Sequence, residues 1–149
     1  MGRILALDFG LKRVGAAISD RDRAIASPLE VYSRRNEPLD ASHYKALVSE
    51  EEVDRIVIGL PVHTSGQASA MSEQARTWGK WLERVCGREV VFFDERYTTN
   101  EAESRLLEAG LRGKALKSRR DMLAAQILLS SYLEAGCPRN VADPGPLED

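Results

Sequence analysis

The sequence predicts an α/β protein: a mixed five-stranded sheet, antiparallel in its first three strands and flanked by helices. Three observations support this prediction. Five apolar runs have the length and composition of strands, the first three are close enough to form an antiparallel meander, and the last two each precede a stretch with helical spacing. The order βββαβαβαα is that of a sheet that begins antiparallel and continues through helical crossovers.

The first three strands are predicted over Arg3–Asp8, Val14–Ser19 and Ile25–Tyr32. The first run is continuously apolar rather than alternating, which is typical of a strand buried on both faces. The turn Gly10–Arg13 separates it from the second run and is short enough for a hairpin. Asp8 closes the first strand, so its carboxylate is expected near the interior, where a charge needs a cation, a hydrogen-bond donor or a proton.

Helices and strands alternate through the rest of the chain. Short apolar runs indicate buried strands, and longer stretches have apolar residues at helical spacing. Thr98–Glu101 has the spacing of a capping box and should start a helix. The predicted elements are a helix over Asp40–Val53, a strand over Arg55–Gly59, a helix over Ala68–Val85, a strand over Glu89–Phe93, a helix from Thr98 to Gly110 and a helix over Arg120–Ala135.

Length and composition indicate one globular domain. The chain has 149 residues, of which 43% are hydrophobic and 30% charged, and these values are ordinary for a globular protein. The net charge of −2 gives no global attraction for a polyanion, so a nucleic-acid site must come from a local basic patch. We expect a domain over residues 1–136 and a flexible tail over 137–149, a segment rich in proline and acidic residues.

The cysteines and the hydropathy pattern indicate the cellular compartment in which the protein is expected. Cys86 and Cys137 do not have the spacing of metal ligands. The sequence shows neither a basic-then-apolar leader nor an apolar run long enough to span a bilayer. We therefore expect a cytoplasmic protein with reduced thiols.

Carboxylates follow two of the predicted strands. Asp8 ends the first strand, and Asp94 and Glu95 end the strand over Glu89–Phe93. Ligand sites in open α/β sheets form beyond the carboxyl ends of strands, so both positions are where chemistry is expected. Asp121 heads an apolar stripe of the last helix and should face the sheet, although the helix dipole alone also favours an acid in a first turn.

Converging carboxylates would require a cation. Two unit charges about 4 Å apart repel by ~4 kcal/mol at an effective dielectric constant near 20. Carboxylate oxygens without histidine or cysteine favour Mg²⁺ or Mn²⁺ over zinc. The chemistry expected of such a site is metal-assisted phosphoryl transfer.

A basic segment precedes Asp121. Gly110–Arg120 carries five basic residues, two glycines and no acid, and we expect a mobile loop that contacts a phosphodiester backbone, although a solvated surface loop is the alternative. Arg96 is suited equally to phosphate binding and to a salt bridge with Glu95. With only 6% aromatic residues, the chain favours backbone or shape recognition over sequence reading. The candidate nucleic-acid-binding residues are Lys12, Arg13, Arg96, Arg112, Lys114, Lys117, Arg119 and Arg120.

Several isolated signals carry less weight. Asp8–Gly10 matches the metal-binding tripeptide of protein kinases, but this chain is too short for a kinase. His63 lies in a glycine-containing loop and could assist proton transfer, although a plain polar role is favoured. His43 is expected on a helix surface, and Trp78 and Trp81 are expected to cover the core.

Several segments together resemble one family over nearly the whole chain. The segments are Asp8–Asp20, Val57–Pro61 with Gly66, Asp94–Thr99 and Asp121–Ala125, and they resemble the motifs of the YqgF/RuvX family. This family comprises Holliday-junction resolvase-like proteins that are also described as pre-16S rRNA nucleases. The combination is specific, whereas each segment alone is weak.

The resemblance implies an RNase H-like fold and a metal-dependent nuclease site. By motif position it implies Asp8, Glu95 and Asp121 as catalytic acids and metal ligands, with Asp94 in reserve. It also implies a cytoplasmic role in maturing the 5′ end of small-subunit rRNA, with ribosomal particles as potential partners. Leu11 and Tyr97 depart from the residues common in the family, and neither departure removes an acid.

Four functional hypotheses remain open at this point. The leading one is a Mg²⁺- or Mn²⁺-dependent endonuclease acting on structured RNA. A DNA-junction resolvase is the nearest alternative, and it should be a dimer because it cuts two strands symmetrically. The others are a non-catalytic RNA-binding module for ribosome assembly and an ATP-binding fragment of the actin-like type, which would need a second lobe.

Overall fold

The computed structural model describes residues 2–61, 66–94 and 113–139. The predicted helix from Thr98 to Gly110 lies outside these residues, as does His63. The strands are β1 (Arg3–Asp8), β2 (Arg13–Ser19), β3 (Ala26–Ser33), β4 (Val53–Leu60) and β5 (Glu89–Asp94), and the helices are α1 (Glu37–Glu50), α2 (Gly66–Cys86) and α3 (Gly113–Glu134).

The five strands form one mixed sheet in the order β3-β2-β1-β4-β5. The pairs β1–β2 and β2–β3 are antiparallel, whereas β1–β4 and β4–β5 are parallel. The predicted mixed sheet with an antiparallel start is therefore confirmed. The carboxyl ends of the three parallel strands lie along one edge, and β1 is the central strand of the sheet.

Each face of the sheet packs against a different set of helices. On β1, Leu5 and Leu7 belong to a core shared with α1 and α2, whereas Ile4 and Ala6 belong to a core shared with α3. All four side chains are fully buried, so the strand is covered on both faces as its continuous apolar run predicts. Full burial of an Ile or Leu side chain contributes about 1.5–3 kcal/mol, and this burial holds the three layers together.

All three described helices begin earlier than predicted, α2 by only two residues. Helix α1 begins after Asn36, whose side chain accepts a hydrogen bond from the amide of Leu39 at 3.0 Å. Helix α3 begins at Gly113, so the expectation of a mobile loop over Gly110–Arg120 is wrong for residues 113–120. Lysine, alanine, leucine and arginine all have favourable helix propensities, and only the glycines of this segment oppose a helix.

The chain after α3 is held against the sheet where it is described. The buried guanidinium of Arg55 donates to the carbonyl of Cys137 at 3.3 Å, and the hydroxyl of Tyr132 donates to the carbonyl of Pro138 at 2.7 Å. The expected tail over 137–149 therefore starts with residues that contact β4 and α3, and residues 140–149 lie outside the described part of the chain.

None of the helices formed by residues 2–61, 66–94 and 113–139 has the length and apolar character needed to cross a membrane.

Candidate active site

Asp8 lies at the carboxyl end of the central strand. Side chains alternate between the two faces of a strand, so Asp8 has the orientation of Ile4 and Ala6, toward α3. In the antiparallel pairing with β2, the residue opposite Asp8 is Gly15. The strand register therefore places Asp8 beside Gly15, which has no side chain, on the face of the sheet that α3 covers.

Gly15 brings a second acid to the same place. A Cβ atom built on Gly15 would overlap the carbonyl oxygen of Asp121, so only glycine allows α3 to approach β2 this closely. Asp8 pairs with Gly15 across the sheet, and Asp121 lies directly over it. Two of the three predicted catalytic acids, Asp8 and Asp121, therefore flank one glycine.

Asp121 forms an ion pair within this site. The Nε atom of Arg13 donates to Oδ2 of Asp121 at 3.0 Å, and the two side chains are 33% and 26% exposed. Arg13 lies two residues before Gly15 on β2, so it has the same orientation, toward α3. Arg13 was predicted to bind nucleic acid, and the structure places it in contact with a predicted catalytic acid.

Asp94 ends β5 at the same edge of the sheet as Asp8, but its side chain lies on the other face of the sheet. Its register partner is Leu60, which packs in the core beneath α1 and α2, and Phe92 contacts that same core. Alternation therefore directs Asp94 away from the face that carries Asp8. Glu95, the next residue and the preferred candidate by motif, lies outside the described residues.

The donor chemistry of the described acids fits a hard divalent cation. Asp8 and Asp121 offer carboxylate oxygens, which Mg²⁺ and Mn²⁺ prefer. In the described ranges no three His, Cys, Asp or Glu side chains form a metal-binding group, and the third predicted ligand, Glu95, belongs to the part that is not described.

Basic residues lie around the pair of acids. Lys12 is exposed in the turn between β1 and β2, and Arg119 and Arg120 occupy the turn of α3 immediately before Asp121, with Arg119 exposed. Lys114 and Lys117 lie in α3, and nothing is described of their side chains. Arg96 and Arg112, two further predicted nucleic-acid ligands, lie outside the described residues.

Arg34 is a residue of this region that sequence reasoning missed. Its Nη1 donates to the carbonyls of Gly10 at 3.0 Å and Leu11 at 3.2 Å, and its guanidinium lies 5.0 Å from the ring centroid of Phe9. It thereby holds the turn that follows Asp8. The only sequence signal was the adjacent basic pair Arg34–Arg35 at the end of a predicted strand.

His43 is not the plain surface residue that was predicted. Its ring stacks on Tyr32 at a centroid distance of 3.9 Å, and Nε2 lies 2.6 Å from a carboxylate oxygen of Glu30. The side chain is about one-quarter exposed. His43 therefore joins α1 to β3. The expected core role of Trp78 is confirmed, since it is 7% exposed.

The fold and the site define a class of protein. A five-stranded mixed sheet with an acid at the end of its central strand, approached by a second acid from the last described helix, is an RNase H-like α/β domain. RuvC from T. thermophilus in complex with a Holliday junction substrate has this fold, with a TM-score of 0.58, 12% identity, and coverage of 93% of this chain and 99% of that one. A fowlpox virus resolvase in complex with Holliday junction DNA gives a TM-score of 0.56 at 11% identity, covering 91% and 99% of the two chains.

The particular family follows from the sequence match. Residues 2–135 match the RuvX family, described as Holliday junction resolvase, and the chain belongs to this family. A relative from Rhodopirellula baltica is 39% identical over 134 residues, covering 90% of this chain and 78% of its own length. One from Dictyoglomus thermophilum is 40% identical over 133 residues, covering 89% and 96%. Both carry the name "Putative pre-16S rRNA nuclease".

Proposed function

We propose that this protein is a metal-dependent endonuclease that hydrolyses phosphodiesters in structured nucleic acid. Membership of a nuclease family supports the reaction class. The observation that carries the proposal is the meeting of Asp8 and Asp121 at Gly15, because these acids come from opposite ends of the chain. Two acids at the carboxyl edge of a sheet suit the binding of a cation more than they suit the stability of the fold.

In this proposal Asp8, Glu95 and Asp121 hold Mg²⁺ or Mn²⁺. When bound, the metal supplies charge stabilisation and an activated water for phosphodiester hydrolysis. The chain itself positions the groups: the β1 register orients Asp8, and Arg13 holds the carboxylate of Asp121 through the 3.0 Å contact. In the same proposal Arg119 and Arg120, on the turn before Asp121, contact phosphates of the substrate.

The proposed substrate is the 5′ end of pre-16S rRNA, processed in the cytoplasm in contact with ribosomal particles. The names of the relatives support pre-16S rRNA as the substrate. The low aromatic content and the basic residues beside the acids support recognition of backbone and shape rather than of sequence.

The second candidate substrate is a four-way DNA junction. It is favoured by the description of the family and by the fold shared with junction resolvases. Symmetric cutting of two strands would require two active sites, and hence a dimer. A dimer that forms only on DNA and cleaves the junction but not the RNA would select this candidate.

The decisive experiment offers both substrates to one preparation. Purified protein with Mg²⁺ or Mn²⁺ is incubated with a precursor fragment carrying the 5′ end of 16S rRNA and with a four-way DNA junction. The Asp8→Asn variant should lower cleavage about 100-fold or more, as expected for the loss of several kcal/mol of transition-state stabilisation, while substrate binding is retained.

Asp22→Asn is the matched control. Asp22 is an exposed acid after the carboxyl end of β2, at the opposite edge of the sheet from Asp8, and its loss should leave cleavage unchanged. If Asp8→Asn and wild-type protein support rRNA maturation equally, the protein is instead a non-catalytic RNA-binding module for ribosome assembly, and the nuclease proposal is wrong.

A further inference from the structure

A broad groove opens beside the candidate site. Its walls are the β1–β2 turn, the connection between β3 and α1, and one side of α2. Its volume is 1320 Å³, above the ~300–1,000 Å³ that is usual for small-molecule sites. The groove therefore has the size for an extended ligand rather than for a single small molecule.

The floor of the groove is aromatic. The ring centroids of Phe9 and Trp78 lie 5.2 Å apart, and those of Trp78 and Trp81 lie 6.4 Å apart. Trp78 is largely buried and supports the other two rings, which are half-buried. Flat aromatic surfaces at a groove floor offer stacking for nucleobases, worth about 1–3 kcal/mol per base.

The rim of the groove carries more cations than anions. Lys12, Arg35 and Arg84 are exposed on three different elements, and Arg34 covers Phe9. The acids in the lining are Glu37, Asp40 and Glu73.

Asp40, the most buried of these acids, already accepts hydrogen bonds from protein groups. The carboxylate of Asp40 accepts hydrogen bonds from the Tyr32 hydroxyl at 2.7 Å and from the Arg35 amide at 3.0 Å, so much of its charge is compensated within the protein. The groove therefore suits a chain of phosphates better than a cationic ligand.

The groove adjoins the candidate site at the carboxyl end of β1. Phe9, in its floor, follows Asp8 in the chain, and Arg13 both lines the groove and donates to Asp121. A polymer lying in the groove would cross the carboxyl end of β1 and reach Asp8. The groove lies on the α1–α2 side of the sheet, whereas the acids lie on the α3 side.

From this arrangement, and resting on the proposed nuclease function, we propose that the groove holds a single-stranded RNA segment adjoining the phosphate that is cut. In a duplex the base faces are stacked internally, so only an unpaired strand can use the aromatic floor. The cations on the rim contact its phosphates, and the Trp81 ring stacks with a base.

Tryptophan fluorescence tests this directly, because Trp78 and Trp81 are the only tryptophans and both line the groove. Asp8→Asn protein is titrated with a single-stranded RNA of about eight nucleotides, within the site sizes known for single-strand grooves. Tryptophan emission should be quenched in step with binding measured by anisotropy of the labelled RNA. A Trp78→Phe variant should retain the quenching, and Trp81→Phe should lose most of it.

Charge-reversal variants test whether the cations on the groove rim contact RNA phosphates. Arg35→Glu and Arg84→Glu should each weaken RNA binding about fivefold or more and lower the slope of log K against log salt concentration by about 1. Lys45→Glu is the matched control, since Lys45 is exposed on α1 but does not line the groove, and it should change affinity less than twofold.

The outcomes separate this inference from the proposed function. Suppose that wild-type protein cleaves a substrate, but RNA leaves tryptophan emission unchanged and both Arg variants bind RNA normally. The assignment of the groove to RNA binding would then be wrong, and the nuclease proposal would be unaffected. If RNA quenches the emission and the Arg variants weaken binding, but neither substrate is cleaved, the nuclease proposal would be wrong and RNA binding in the groove would be supported. Equal quenching by a duplex of the same length would overturn the single-strand assignment, and quenching by single-stranded DNA but not by RNA would overturn the assignment to RNA.

Discussion

The α-carbon of Gly15 lies directly beneath the backbone carbonyl of Asp121, where a β-carbon would not fit. This contact sets how close α3 comes to β2, and it joins the central part of the sheet to the helix that carries a predicted catalytic acid. Since Asp8 is the register partner of Gly15, the same contact decides how near the two acids lie.

Gly15→Ala should therefore impair both stability and catalysis. The added methyl group must push α3 away from β2, and overpacking of this kind costs about 1–3 kcal/mol. We expect a lower midpoint in urea denaturation and a loss of cleavage at temperatures where the variant is still folded, because Asp121 moves relative to Asp8.

Gly136→Ala separates the two effects. Gly136 has a φ of +88° with open space around its α-carbon, so alanine there adds backbone strain of about 1–2 kcal/mol without touching the acids. This variant should lose stability but not cleavage. Equal loss of cleavage in both variants would mean that reduced stability, not displacement of Asp121, explains the Gly15 result.

Arg13→Gln should affect catalysis more than folding. The ion pair with Asp121 is partly exposed, so its loss should change the free energy of unfolding by no more than about 1 kcal/mol. The freed Asp121 carboxylate should take several orientations, which lowers kcat for cleavage, and Arg13→Lys should restore part of it.

The same variant distinguishes two roles for Arg13. If it positions Asp121, the affinity for an uncleaved RNA should change little while kcat falls. A fall in affinity with a reduced salt slope and an unchanged kcat would instead make Arg13 a phosphate ligand, as the sequence alone predicted.

Arg55→Met should destabilise the fold by about 1–3 kcal/mol in urea denaturation. The Arg55 side chain is almost fully buried and donates to Glu89 at 3.3 Å and to the Tyr132 hydroxyl at 3.2 Å, in addition to the Cys137 carbonyl. Methionine fills similar space but leaves these acceptors with fewer partners.

Arg21→Met is the control for this prediction. Arg21 pairs with Glu52, and both side chains are more than half exposed, so its loss should change stability by less than about 0.5 kcal/mol. Equal midpoints for the two variants would show that burial does not strengthen the Arg55 network.

Cys86 should react with thiol reagents far more slowly than Cys137 in the folded protein. Burial disfavours the thiolate and raises the pKa of Cys86 to about 11, whereas Cys137 is only half-buried. A thiol-reagent assay near pH 8 should show one fast group and one that reacts only after unfolding, and Cys137→Ala should abolish the fast phase.

The raised pKa of Cys86 also predicts how the stability of the fold changes with pH. The unfolded thiol ionises at lower pH than the folded one, so the Cys86 contribution to stability is complete below about pH 9 and is lost as pH rises toward 11. Urea midpoints across this range should fall more steeply for wild type than for Cys86→Ala. Parallel curves would contradict the buried-thiol explanation.

The strands were predictable because burial on both faces leaves a local pattern. The continuous apolar run of β1 and the shorter runs of β4 and β5 indicated strands, and all three predicted bounds agree with the structure within two residues. Start signals of helices were less reliable. The cap at Asn36 was overlooked, and the charges of residues 113–120 suggested a loop although most of these residues favour a helix.

Spacing alone did not show on which face of the sheet Asp94 lies. The face becomes clear only when the packing of Leu60 and Phe92 under α1 and α2 is known. The Arg13–Asp121 ion pair and the aromatic groove likewise join residues far apart in the chain, so no local pattern could have revealed them.

The amino-acid sequence by itself determined the order of strands and helices and the placement of acids at the ends of strands, because hydrophobic periodicity and motif spacing are local properties of the chain. Only the tertiary structure decided that α3 lies on Gly15, that Arg13 pairs with Asp121, and that a basic groove with an aromatic floor opens beside Asp8. These relationships arise from the strand register and from the close packing of distant segments, which a linear pattern does not encode.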